Sequence, residues 1–370
     1  MKGWRRPGIA RFLKLIFKDN EKILITMEEK RTEIAALGEF ALIDRLAAPF
    51  GPRLASTVKG IGDDAAVTDL GDEYGLLTTD MLIEGIHFDL TFHPLRHLGY
   101  KAIAVNISDI AAMNGIPQQV MVSLGLSNRF SVEAVEEIYQ GIKAACEDYK
   151  VDLVGGDTTA SRSGLILSVS VFGKVAKDRI AYRSTAGAND ILCVTGDLGG
   201  AYAGLQILSR EKQVFLADQK MQPDFEGKEY ILQRQLKPEA RMDVVYELAE
   251  AGVIPTSMID ISDGLSSELH HICKASGVGA VVFEEHLPID DQTAFVASEL
   301  NLGPVTAAIN GGEDYELLFT IRQEDHAKLK NNPKISFIGY LTPNKDELLL
   351  RTKSGNVVPL RAQGWQHLEE

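Results

Sequence analysis

The stretch HLGYKAIAVNISDIAAMNG, His97 to Gly115, decides the fold of this chain. Leu98, Ala102, Val105 and Met113 recur along one side of a helix, and Asn114-Gly115 closes it. A helix this apolar belongs inside a protein. Yet Asn106, Ser108 and Asp109 lie within it, and Asn and Asp are poor helix formers in such a place. A carboxylate buried there without a partner is expensive. Asp109 is therefore either a structural acid capping something across the core or part of a site.

Working outward, further aspartates fall in short patches bordered by glycine or serine. Asp63 and Asp64 stand in GIGDDAAV, Asp80 in LLTTDMLIEG, Asp157 in VGGDTTAS, and Asp260 with Asp263 in IDISDGLS. Singly, each has an ordinary reading. Gly60 to Asp64 suits a tight turn, Thr78-Thr79-Asp80 a cap, and Asp260-Ser262-Asp263 a helix start. Together, in apolar surroundings, they would repel one another. Hard divalent cations such as Mg²⁺ relieve that repulsion and usually arrive with substrate phosphates. The pattern points to a metal-dependent phosphate enzyme.

Around these patches helices and strands are mixed. GEFALIDRLAAPF reads as a short helix, Leu76 to Thr79 as a strand entering Asp80, and VMVSLGL as another. SVEAVEEIYQGIKAACEDY is amphipathic, with Val135, Ile138, Ile142, Ala145 and Tyr149 as its stripe. VDLVGG reads as a strand of core residues, after which Gly155-Gly156 lets backbone amides approach an anion. LILSVSVFGKV alternates like a half-buried strand. The polar stretch KDRIAYRSTAGAND, Lys177 to Asp190, separates this unit from a second one. There DILCVTG, SMIDIS, GAVVFE and the end of NGGEDYELLFTI read as strands, and Leu265, Leu269 and Ile272 share a helix face. Two domains are expected, residues 27–178 and 188–370, after an N-terminal extension of residues 1–26.

The whole chain has 370 residues, 45% of them hydrophobic, ample for two cores. Its net charge is −14, and no basic stripe for nucleic acid occurs beyond the first twenty-odd residues. No apolar run reaches the roughly 18 residues that span a bilayer. Cys146, Cys193 and Cys273 lie far apart without CxxC spacing, and read as reduced, buried thiols of a cytoplasmic protein. Neither GxxxxGK[ST] nor HExxH is present. The basic opening MKGWRRPGIARFLKLIF is too short and too charged to be a secretory core. Met27 then opens MEEKRTEIAALGEF, so the first 26 residues are expected to contribute nothing to the fold.

GIGDDAAV, TTDMLIEGIHF, KAIAVNISDIAAMNGIP, GGDTT, IDISDGL and NGGEDYEL, in this order, resemble the thiamine-monophosphate kinase family of the aminoimidazole ribonucleotide synthetase-like superfamily. The resemblance runs from about Gly38 to the C-terminus. It implies an α+β fold of two αβ domains, with the N-terminal sheet pairing across a homodimer and a C-terminal α/β sandwich. It implies ATP-dependent phosphorylation of thiamine phosphate to thiamine diphosphate. It further implies Mg²⁺ ions held at Asp64, Thr78, Thr79, Asp80, Asp109, Asp157, Asp260 and Asp263. ATP contacts fall on Tyr149, Gly156, Asp157, Arg183 and Ser262, and thiamine phosphate contacts on His87, Glu313 and Trp365.

Sister enzymes fit less well. Selenophosphate synthetase needs an N-terminal cysteine or equivalent, whereas the first cysteine here is Cys146. The hydrogenase maturation protein ends in a functional cysteine, whereas this chain ends in HLEE. NGGEDYEL argues against aminoimidazole ribonucleotide synthetase itself. A catalytically silent nucleotide- or Mg²⁺-binding regulator would be marked by lost acids, and every expected acid is present.

Overall fold

The computed structural model describes residues 38–361. The extension at residues 1–26 and Trp365 lie outside them. Helix α1 (Glu39–Ala47) forms where GEFALIDRLAAPF places it. A six-stranded sheet follows: β1 (Thr57–Lys59), β2 (Ala66–Asp69), β3 (Glu73–Ile83), β4 (Ile116–Leu126), β5 (Asp152–Ala160) and β6 (Ile166–Ala176), in the order β1-β2-β3-β6-β4-β5. Within this sheet β4–β5 is the one parallel pairing of neighbours among the described residues. A parallel pair needs a crossover, and α3 (Val132–Tyr149) supplies it. Its Ser131 side chain caps the first turn by accepting from the Ala134 N–H.

Helix α2 (Leu95–Ala112) takes up most of HLGYKAIAVNISDIAAMNG, and it is buried along almost its whole length. It packs against β3, β4, β6 and α3, and against β8 of the second sheet. Two glycines allow α2 and α3 to touch backbone to backbone. A Cβ on Gly99 would stand 2.0 Å from the Ile138 carbonyl oxygen, and one on Gly141 1.8 Å from that of Arg96.

The second half carries a seven-stranded sheet in the order β13-β12-β9-β11-β7-β10-β8. Its strands are β7 (Ile191–Thr195), β8 (Ser257–Asp260), β9 (Gly279–Phe283), β10 (Leu317–Ile321), β11 (Ile335–Thr342), β12 (Leu348–Arg351) and β13 (Val357–Pro359). Helices α4 (Gly200–Ala217), α5 (Glu229–Leu236) and α6 (Met242–Glu250) precede β8, and α7 (Leu265–Ser276) follows it. The strand period of two divides the apolar residues between two cores. Leu317, Phe319 and Ile321 of β10 join the core of the first sheet, α2 and α6, whereas Leu318 joins Leu192, Val194, Ile259 and the α7 face Leu265, Leu269 and Ile272. Gly277 ends α7 at φ +69°, a left-handed angle that suits glycine.

One expectation is corrected. VDLVGG is not a strand of core residues: every residue of β5 is exposed, and the strand continues through Gly155-Gly156-Asp157 to Ala160. β5 is the edge of the sheet, and no element among the described residues covers it.

Candidate active site

Four of the aspartate patches converge where α2 crosses between the sheets. Carboxylate oxygens of Asp64, Asp109 and Asp260 all lie within 4.8 Å of one another. Asp64 reaches this point from the β1–β2 turn, whose Gly62 takes φ +114° and so requires glycine. Asp109 arrives from the last turn of α2, and Asp260 from the end of β8. The electrostatics show the strain of this gathering. Burial pushes the Asp109 carboxyl well above the usual carboxylate range, with Asp80, Asp260 and Asp64 adding to it. Asp260 is pushed up to about 8, by burial first and then by Asp64. Asp80 is raised as well, by thinned solvation and by Asp64.

Side chains around the cluster hold it in place. Thr78 Oγ1 donates to Asp109 Oδ2. Ser108 Oγ donates to Asp260 Oδ2 at 2.6 Å. Asn106 Oδ1 accepts the Asp80 N–H at 2.9 Å while its Nδ2 donates back to the Ala102 carbonyl at 3.0 Å, which accounts for an Asn inside an apolar helix. Arg183 grips Asp64 with both arms, Nε to Oδ2 at 2.9 Å and Nη2 to Oδ1 at 2.6 Å. Asp63 turns away from the cluster to Lys59 at 2.8 Å.

The remaining acids separate. Neither Asp260 nor Asp263 caps a helix: α7 begins at Leu265 behind Gly264, with no side-chain cap. Instead the buried Glu268 accepts the N–H groups of Ser262 and Asp263, at 3.3 and 2.8 Å. Thr78, Thr79 and Asp80 form no cap either, since they lie inside β3. Alternation sends Thr79 to the opposite face from Thr78 and Asp80. There its hydroxyl donates to the Val169 carbonyl at 2.9 Å and accepts from Ser170 at 3.0 Å. Asp157 pairs with Ser123, in a row that continues through Ser168 to Met81. Three strand spacings, roughly 14 Å, therefore separate it from β3.

Tyr149 closes α3 with its hydroxyl accepting the Ala240 N–H at 2.8 Å, and burial pushes its phenol up to about 12. His87 Nδ1 accepts the Ile83 N–H at 3.0 Å in the turn after β3. Glu313 follows the Gly311-Gly312 turn at φ +65°, with its N–H on the Ser262 carbonyl at 2.7 Å.

Sequence reasoning missed three residues here. Lys101 and Gln235 both donate to the Glu313 carboxylate. Tyr315 takes φ +52°, uncommon for a bulky side chain, and its phenol is raised by burial and by Glu313, Asp80, Asp260 and Asp263. A lone lysine in the apolar run KAIAVNISDIAAM was the one available signal.

Two sheets joined over a buried helix, with carboxylates gathered at the junction, define a class. Residues 62–175 match the family described as AIR synthase related protein, N-terminal domain, and residues 187–348 its C-terminal domain counterpart. Within that class, the thiamine-monophosphate kinase of Aquifex aeolicus is 36% identical over 298 residues, 80% of this chain and 88% of its own length. That of Bacillus subtilis is 33% identical over 90% of this chain and 100% of its own. The solved structure of AaThiL complexed with AMPPCP and TMP, at 32% identity, superposes with a TM-score of 0.78 over 91% of this chain and 99% of its own. The chain belongs to the thiamine-monophosphate kinase family.

Proposed function

We propose that this protein transfers the terminal phosphoryl group of ATP to thiamine phosphate, giving thiamine diphosphate and ADP. The observation that carries the reading is the convergence of Asp64, Asp109 and Asp260 within 4.8 Å in a chain of this family. Burial and the neighbouring carboxylates raise the pKa of Asp109 and Asp260, which fits a hard divalent cation, and the all-oxygen donor set of Asp64, Asp109 and Asp260 suits Mg²⁺. Bound there, Mg²⁺ supplies charge neutralisation for the phosphates. Asp80 borders the cluster, Asp263 is proposed to join it when the metal binds, and Thr78 acts through Asp109. Thr79 and Asp157 complete the proposed metal set from positions that the single chain keeps apart from it.

The acceptor is an ionised phosphate, which brings no proton that must be removed. The protein therefore has alignment and charge to provide. Arg183, a fixed cation beside the cluster, is proposed to meet ATP, as are Tyr149, Gly156, Asp157 and Ser262. His87, Glu313 and Trp365 are proposed for thiamine phosphate, whose thiazolium and aminopyrimidine call for a carboxylate and an aromatic face. The division into residues 27–178 and 188–370 belongs to this reading.

A homodimer belongs to it too. The face of the first sheet that turns away from α2 exposes Leu77, Met81 and Met121, and edge strand β5 adds Leu153 and Val154. A second copy on this face covers them, together with the strand that carries Gly156 and Asp157. No helix among the described residues is long and apolar enough to cross a membrane. Use of ATP fits a cytoplasmic place. Release of ADP on adding thiamine phosphate, with none on adding unphosphorylated thiamine, is the expected result; equal release with both contradicts an acceptor that is already a phosphate.

A further inference from the structure

Among the described residues Lys101 heads the fully buried side chains in size, and it is a basic one. It lies on α2 two turns before Asp109. Its Nζ donates to Glu313 Oε1 at 2.8 Å and to the Gln235 carbonyl at 3.4 Å. Gln235, also buried, donates Nε2 to the other carboxylate oxygen, Glu313 Oε2, at 2.6 Å. The Glu313 side chain nevertheless keeps 26% of its surface open, against 1% for Lys101. Its carboxylate is thus held from behind by two donors while lone pairs remain on the open side. Burying an ammonium costs several kcal/mol, and an apolar side chain of similar size commonly packs a helix at no loss of stability.

The loop that carries Glu313 is tied down on its other side by the same helix that supplies Gln235. Arg234 Nη2 donates to the Asp314 carbonyl at 3.2 Å, and Nη1 to Glu316 Oε1 at 2.8 Å. The charged stretch from Ser209 to Gln235 fits none of the sequence motifs. Its end, α5, is what reaches this loop.

We propose that Lys101 and Gln235 are positioning residues for the acceptor: they fix the Glu313 carboxylate in the orientation that receives the amino group of the thiamine pyrimidine. This rests on the reaction proposed above and on Glu313 as its substrate contact. The rival is a plain latch, in which Lys101 only joins α2 to the second half of the chain. A latch affects stability and both substrates alike.

The test is a double-mutant cycle on the full chain, with KM measured for each substrate in wild type, Lys101→Met, Glu313→Gln and the double variant. Lys101→Met is expected to raise KM for thiamine phosphate about tenfold or more, the equivalent of about 1.4 kcal/mol, and to leave KM for ATP within about twofold. On top of Glu313→Gln it is expected to add little, because coupled residues are not additive. Should Lys101→Met fail to fold, Gln235→Leu keeps the ion pair and reads the same split with a smaller factor. Equal rises in both constants, or effects of the two positions that simply multiply, would overturn the proposal. Wild-type turnover of thiamine phosphate is the separate control: its absence strikes the reaction itself, whereas a failed cycle in an active enzyme strikes only the positioning role.

Discussion

Asp109→Asn keeps shape and removes one charge from the cluster, so its effect on the metal-free protein can be worked out. At 4.8 Å two carboxylates repel by about 3.5 kcal/mol with an effective dielectric of 20, and Asp109 faces two such neighbours. The native protein escapes part of this by holding a proton on Asp109, whose folded pKa is raised. The unfolded chain carries an ordinary carboxylate. Above the ordinary value the folded state therefore binds more protons than the unfolded one, and wild-type stability falls as pH rises toward the folded pKa. Asparagine carries no such cost. In the presence of a chelator the variant should melt above wild type, by a margin that widens by up to about 1.4 kcal/mol per pH unit. That corresponds to roughly 2–4 °C per unit. Thr78 Oγ1 can still donate to an amide oxygen, so the fold should survive. Turnover with saturating Mg²⁺ should fall at least about a hundredfold, since several kcal/mol of charge stabilisation leave with the ligand. Thermal scans at several pH values and a turnover assay are sufficient. A variant that melts below wild type at neutral pH, or that turns over normally, refutes the reasoning.

Three further outcomes follow from the same geometry. With Asp260 raised to about 8, the metal-free wild type should lose stability steadily as pH climbs from the ordinary carboxylate range toward that value, and Mg²⁺ should flatten the slope; a melting temperature that rises over this range contradicts it. Arg183→Met removes both donors from Asp64, so the metal-free protein should lose on the order of 1–3 kcal/mol and KM for ATP should rise; unchanged values of both would show that the pair is idle. Met121→Lys places a charge on the open face of the first sheet, and light scattering should find a dimer for wild type and a monomer for the variant; a variant that stays dimeric moves the proposed interface elsewhere.

Much of this was legible in the sequence because period and composition agree there. Alternation in LILSVSVFGKV became β6 with every second residue buried, and the all-round apolar stretch around Asp109 became the buried α2. The acids at Asp64, Asp109 and Asp260 stood out because short polar motifs interrupt apolar runs. What escaped depends on which way a side chain faces. Thr79 and Asp80 are neighbours in the chain, yet the pleat of β3 sends them to opposite faces. VDLVGG has the composition of a core strand and lies on an edge, since strand order is a long-range property. Lys101 and Gln235 meet Glu313 only because α2 and α5 close on the same loop, which no local pattern encodes.

The most direct test of the proposed reaction is to incubate the protein with ATP, thiamine phosphate and Mg²⁺ and to measure thiamine diphosphate and ADP together by chromatography. The two products should appear in equal amounts, cease with a chelator, and be all but lost in Asp109→Asn. ADP formed without thiamine diphosphate, or no product from well-folded protein, would contradict it.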